Sequence, residues 1–272
     1  MTDVGRAPAP VAAIEAFEVP GDPAARVAFS GRDPASHGNG NTSLTVGEGR
    51  PASTRAALLG AVGLDPGAAV FMEQVHGRGV AVVDPSDAGR GSGDHGDAIA
   101  GVDALVTFDT DVALVVQVAD CVPLLLVDPG RGVAAVHAGR RGVESDVVGA
   151  ALDALAPPDP GRVAAVIGPA IGGCCYEVPA ALADEVAAQV PAAAARTSWG
   201  APALDLPQAL RAGLAARGVH RVAHHGACTR CAHDRWFSHR AAPGEGRQAG
   251  VVVRRAVAPT SGVAAGSLDW ST

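Results

Sequence analysis

Aromatic side chains make up only 3% of this 272-residue chain, although hydrophobic residues make up 48%. A core short of rings must be filled by Ala, Val and Leu, and at this length it can be sizeable within one domain. No Lys- or Arg-rich run is long enough to follow a phosphate backbone, and the net charge is −7, which argues against nucleic acid as the main partner. Nor is there an apolar run of membrane-spanning length. The most apolar stretch, Val112 to Val127, is interrupted by Gln117, Asp120 and Pro123 and reads as strands, so no membrane partner is expected. The opening MTDVGRAPAP lacks the apolar core of a secretion signal, and a cytoplasmic location is the expectation. Five cysteines, an odd number, describe no disulfide framework in a chain of this size, so reduced thiols are expected. Neither G-x-G-x-x-G after a strand nor G-x-x-x-x-G-K-[ST] is present, which weakens any Rossmann or P-loop reading.

What is present centres on residues 112–142, VALVVQVADCVPLLLVDPGRGVAAVHAGRRG. Two strand-like runs are broken at Ala119-Asp120-Cys121, and a third run delivers His137 into a Gly- and Arg-rich turn. Cys121 and His137 thus stand where strands give way to turns, as rigid scaffolds present reactive groups. Further strands are predicted over Arg26–Ser30, Ala69–Val75, Gly79–Val83, Asp103–Phe108, Val163–Ile167, Val219–Ala223 and Gly250–Arg254, with an edge strand within Val11–Val19. Helices are predicted after a Ser53 cap, over Gly142–Leu155 and Pro179–Val190, and after Asp205, where Leu206, Leu210 and Leu214 share one face. Strands interspersed with helices make the chain α/β or α+β.

Three groups of residues could carry chemistry. His76, Cys121 and His137 each end a strand, and two imidazoles with one thiolate are a familiar ligand set for a catalytic zinc that keeps a position open. Their spacing alone does not unite them, and a lone cysteine is more often a small buried hydrophobe. Cys228-x-x-Cys231 with Cys174-Cys175 supplies four thiols for a structural zinc or a redox pair, but adjacent cysteines look a poor geometry for one tetrahedral ion. Arg32, Arg55, Arg141 and Arg240 lie beside turns or helix starts, where forked guanidinium groups could hold phosphate; any one of them could equally be surface.

Taken in order, E-Q-V-H-G (73–77), A-D-C-V-P-L-L-L (119–126), H-A-G-R-R-G (137–142), I-G-P-A-I-G-G-C-C-Y-E-V (167–178), C-T-x-C (228–231), F-S-H-R (237–240) and G-R (246–247) resemble the YfiH/YlmD family. This is the laccase-domain family, long called multicopper polyphenol oxidases and now described as purine nucleoside phosphorylases. The resemblance implies a single α/β domain of the YfiH-like type, with mixed β-sheets sandwiched between helices. It places that catalytic domain at 26–255, after an N-terminal extension or edge strand (1–25) and before a loose C-terminal tail (256–272). It further implies zinc held by His76, Cys121 and His137, phosphorolysis of adenosine, inosine, guanosine and methylthioadenosine, and deamination of adenosine, with purine nucleosides and phosphate as partners. Arg55, with Arg32, Arg141 or Arg240, is the expected phosphate site.

The chain departs from the family pattern at several points. Arg140 stands where the family has Trp, Ser30-Gly31-Arg32 replaces S-T-R, Ser43-Leu44-Thr45-Val46 replaces S-L-N-L, and Thr54 takes the place of an Asn. These changes bear on substrate preference and rate more than on metal. Other readings are a copper-dependent polyphenol oxidase, a hydrolase that edits peptidoglycan precursors, and a non-enzymatic zinc or redox interaction protein built on Cys228 and Cys231. Against the copper reading, the nine histidines show no paired H-x-H pattern.

Overall fold

The computed structural model describes residues 14–33, 39–256 and 270. In chain order the first half comprises β1 (Ile14–Val19), β2 (Asp22–Ser30), α1 (Pro51–Ala61), β3 (Ala69–Phe71), β4 (Val80–Val82), β5 (Ala104–Thr107), β6 (Ala113–Val118), β7 (Val122–Asp128) and β8 (Gly132–Ala138). The second half adds α2 (Arg140–Glu144), α3 (Val147–Leu155), β9 (Ala164–Ile167), α4 (Ala180–Gln189), β10 (Ala194–Arg196), β11 (Pro202–Leu204), α5 (Leu206–Ala216), β12 (Arg221–His224) and β13 (Gln248–Arg254).

Two mixed sheets hold the structure together, one of five strands in the order β1-β2-β13-β6-β3 and one of six in the order β12-β9-β7-β8-β5-β4. Along β7, Leu125 and Val127 turn inward and join Val27, Phe29, Leu114, Val116 and Val252 of the other sheet in one core. The alternate residues Val122, Leu124 and Leu126 face the opposite way, onto α3 and α5 through Val148, Leu152 and Leu210. On the far face of the five-stranded sheet, Val115, Val251 and Val253 pack against Leu58 and Leu59 of α1. The layers are therefore helix, sheet, sheet, helix. Central strands covered on both faces read as unbroken apolar runs rather than alternating ones, and Ala and Val fill the space where aromatics are scarce.

Several expectations change. β1 pairs antiparallel with β2, and β2 begins at Asp22, so a boundary at residue 26 would cut a strand of the sheet. The helix expected over Gly142–Leu155 is two helices, because Asp146 adopts a left-handed φ of 59° and caps the second through its carboxylate and the Gly149 N–H. Ser53 does not cap α1: Arg50 holds that position, and the Ser53 hydroxyl donates to the Arg50 carbonyl. The strand expected over Ala69–Val75 stops at Phe71, beyond which the Gln74 side chain takes over the pairing, exchanging hydrogen bonds with the Gln117 backbone. The expected tail, apart from Ala256 and Trp270, lies outside the described residues, as does the start of the strand expected from Val11. Among the described residues no helix is long and apolar enough to cross a membrane.

Candidate active site

β6 belongs to one sheet and β7 to the other, so the chain must cross between sheets at Ala119-Asp120-Cys121. Asp120 makes the crossing with a left-handed φ of 83°, which costs a non-glycine residue on the order of 1 kcal/mol. Its carboxylate is held in return, accepting the Thr229 hydroxyl at 2.7 Å and the Arg240 N–H at 2.7 Å. Cys121 follows at the mouth of the sheet pair, half-buried.

His137, on β8, and His76, in the turn after β3, come to the same point. The donor atoms of His76, Cys121 and His137 all lie within 4.8 Å of one another, and the two rings meet edge to face at 4.8 Å. One buried carboxylate organises both histidines. Asp103 bonds the Nδ1 of His137 at 2.7 Å and accepts the backbone N–H groups of His76 and Gly77 at 2.9 and 2.6 Å. It thereby fixes the ring of one and the left-handed backbone (φ 62°) of the other. Carboxylate on Nδ1 leaves Nε2 for a metal, the arrangement that orients metal-ligating histidines. Gly139 is needed for the approach, since a Cβ there would lie 3.0 Å from His76 Cδ2 and 3.1 Å from Cys121 Sγ.

The electrostatics follow from these contacts. Burial pushes the Cys121 thiol up, but hydrogen bonds and positive charge from His137 and His76 outweigh it and bring it down to about 6. Burial disfavours a charged His137, yet Asp103 and the Cys121 thiolate raise it to about 9. Asp103, despite its burial, is held below the usual carboxylate range by His137 and by the N–H groups it accepts. At neutral pH the site holds a thiolate beside an imidazolium, with one ready metal donor and a second that gives up a proton to bind.

The group lies in the wall of a cleft of about 500 Å³, within the range of small-molecule sites. Met72, Val118, Ile171 and Tyr176 give it apolar faces, and Gln74 and Gln117 give it amides. His95 is exposed, as its glycine-rich loop implies, but still lines the cleft.

The expected arginines divide sharply. Arg240 lines the cleft, with its guanidinium stacked on Tyr176 at 4.7 Å and bonded to the Glu177 carbonyl. Arg55 does not. It is 4% exposed, lies over the Phe71 ring at 4.0 Å, and donates to the carbonyls of Thr42, Gly91 and Ser92, each at 2.7 Å. Burial lowers it to about 10, and it ties two loops together instead of meeting an anion. Arg32 stacks on Phe237 and pairs with Glu245, and Arg141 is exposed on α2; neither lines the cleft. Arg140 and Arg247 do line it. The sequence contains no lysine, so every fixed side-chain cation is a forked guanidinium, and motif membership in H-A-G-R-R-G and G-R was the available sign of these two. Asp103 stands just before β5 with no local partner in sequence, and nothing short of the fold singles it out.

The family model described as multi-copper polyphenol oxidoreductase laccase matches residues 28–255. The chain belongs to this laccase-domain family. It is 46% identical over 207 residues to the purine nucleoside phosphorylase SCO2081 of Streptomyces coelicolor, covering 75% of this chain and 82% of that one. It is 34% identical over 206 residues to the adenosine deaminase RL5 of an unknown prokaryotic organism, covering 70% and 76%. The crystal structure of YlmD from Geobacillus stearothermophilus superposes with a TM-score of 0.78 at 33% identity, covering 87% of this chain and 94% of that one. The mixed-sheet laccase-domain fold is thus shared, and it brings His76, Cys121 and His137 together from three separate elements.

Proposed function

We propose that this chain is a zinc-dependent purine nucleoside phosphorylase, acting on adenosine, inosine, guanosine and methylthioadenosine, that also deaminates adenosine. The observation that carries the reading is the His76-Cys121-His137 group, organised by Asp103, in a cleft ringed by guanidinium groups. Relatives named purine nucleoside phosphorylase and adenosine deaminase support the reaction class.

The donors fit zinc, which would be held by one thiolate and two imidazoles in the wall of the cleft. Such an ion supplies Lewis acidity and lowers the pKa of water toward neutrality. The protein's own residues do the rest. Arg240 with Arg140 or Arg247 holds phosphate by forked hydrogen bonds, in place of the expected Arg55, Arg32 and Arg141. Tyr176, Ile171 and Met72 give the purine apolar faces, and the Gln117 side chain reads its edge, the Gln74 amide being paired with the Gln117 backbone. In phosphorolysis a phosphate oxygen bonds to the anomeric carbon as the bond to the base nitrogen breaks. The electron pair leaves with the base, and the held phosphate offsets the positive charge that gathers on the sugar. In deamination water adds at C6 of adenine and ammonia departs.

Adenosine incubated with and without phosphate, with products separated by chromatography, tests the reading. Adenine and ribose 1-phosphate should appear only with phosphate, and inosine in either case. Free ribose released equally under both conditions would sink phosphorolysis and favour a hydrolase. Copper also accepts two imidazoles and a thiolate, so oxygen consumption with phenols, by protein of measured copper content, checks the oxidase reading on the same donor set. A cytoplasmic location fits nucleoside and phosphate substrates.

A further inference from the structure

From His225 to Arg247 the chain runs between β12 and β13 without a helix or strand of its own. So long an irregular stretch is unusual inside a domain unless something pins it. At its start Cys228 bridges Ala170 in the turn after β9, with the Thr229 N–H donating to the Ala170 carbonyl at 3.0 Å. This brings Cys228 and Cys231 against Cys174 and Cys175, and the four sulfurs all lie within 4.8 Å of one another.

The adjacency of Cys174 and Cys175 is no obstacle here. In a strand their side chains would point to opposite faces. These two residues instead sit in a turn, in which the N–H groups of Cys175 and Tyr176 both reach the Gly172 carbonyl, at 2.9 and 3.0 Å. The sulfurs consequently converge, lying 3.8 and 3.4 Å from Cys231 Sγ. A regular tetrahedron with metal–sulfur distances of about 2.3 Å has sulfur–sulfur edges of about 3.8 Å. A disulfide would need about 2.05 Å. The Gly172 N–H donates to Cys228 Sγ at 3.3 Å, which stabilises a thiolate, and a Cβ on Gly172 would lie 3.2 Å from Cys174 Sγ. None of the four thiols lines the cleft.

We propose that Cys174, Cys175, Cys228 and Cys231 bind a second zinc ion, closed by four protein thiolates and therefore structural. Its role is to clamp the two segments that shape one side of the cleft. The first carries Ile171 and Tyr176. The second carries Arg240, and also Thr229, whose hydroxyl holds the Asp120 carboxylate at the sheet crossing. The site does not depend on the reaction assigned to the cleft.

The test is metal analysis of the full chain, purified reduced and desalted, as wild type, Cys121→Ala and Cys228→Ser/Cys231→Ser. Cys121→Ala should retain about one zinc per chain and the double variant should lose that ion. This holds whether or not the cleft also binds metal, which is read separately as the zinc lost between wild type and Cys121→Ala. Should the double variant fail to fold, cobalt added to Cys121→Ala decides. Four thiolates around cobalt give strong tetrahedral absorption in the red and thiolate charge transfer in the near ultraviolet. Folded, reduced Cys121→Ala that takes up neither zinc nor cobalt would overturn the proposal.

Discussion

Beside the cleft, two imidazoles and one thiol converge on one another, with Asp103 behind the His137 ring, whereas the loops after β9 and β12 bring together four thiols and no imidazole. The first group is mixed in donors, opens on a cleft and has a carboxylate behind it. The second is uniform, lies off the cleft and joins two irregular segments. Donor number and open direction separate a site built for chemistry from one built for shape, and cysteine occurs in both. A cysteine's role in this chain therefore has to be read from its neighbours.

The largest expected difference follows from removing a donor at the cleft. Cys121→Ala or His137→Ala should weaken metal binding there by at least about 100-fold, since a ligand's share of zinc binding is roughly 3 kcal/mol. Equilibrium dialysis measures it, and full occupancy in both variants would erase the distinction drawn between the groups. Asp103→Asn keeps all three donors but loses the negative charge beside His137 and one of the two oxygens that between them accept the His137 ring and the His76 and Gly77 N–H groups. A fall in metal affinity of about 10- to 100-fold is expected, with the four-thiol group unaffected.

The arginines sharpen the comparison within the cleft itself. Arg240→Ala should raise the KM for phosphate by roughly 10-fold or more, the worth of a lost charge-assisted hydrogen bond. Arg55→Ala should instead lower stability by about 2 kcal/mol or more, through the Thr42, Gly91 and Ser92 carbonyls it abandons, with the smaller change in phosphate KM. Denaturant melts beside steady-state kinetics separate the two, and the reverse pattern would return Arg55 to the phosphate site.

The smallest step is expected per unit of pH, although it accumulates across the range. With Cys121 at about 6 and His137 at about 9, the pair carries one proton between those values, on His137, and that proton must leave when a metal binds. Metal affinity at the cleft should thus rise about tenfold per pH unit between about 6 and 9, level off above, and fall more steeply below as the thiol also protonates. Uptake of zinc in lightly buffered solution would show the released proton, and affinity flat across that range would contradict the thiolate–imidazolium pair.

Much of this was legible in the sequence, and the parts that were not share a physical cause. The central strands read correctly because burial on both faces leaves apolar runs from Ala113 to Ala138, interrupted within a strand by little besides Gln117 and His137 and otherwise where the chain turns. His76, Cys121 and His137 stood out as strand-end residues, but only the crossing between sheets unites them. That Arg55 is covered by the carbonyls of Thr42, Gly91 and Ser92 could not be seen, because a place in the first turn of a helix says nothing of its tertiary partners. Adjacent cysteines at 174 and 175 look a poor geometry for one ion in the sequence, which does not show the turn that brings their sulfurs together. The short hairpin of β10 and β11 went unread, its three-residue strands carrying too little pattern. The split at Asp146 depends on a left-handed residue that composition does not announce.

The most direct test of the cleft as the seat of the reaction is phosphate-dependent release of ribose 1-phosphate from adenosine by wild type and Cys121→Ala, compared at equal concentration of folded protein with zinc supplied. Wild type should form ribose 1-phosphate in an amount equal to adenine plus the hypoxanthine that arises through inosine, and Cys121→Ala should form none of them above background. Equal rates from the two proteins would show that the chemistry does not take place at His76, Cys121 and His137.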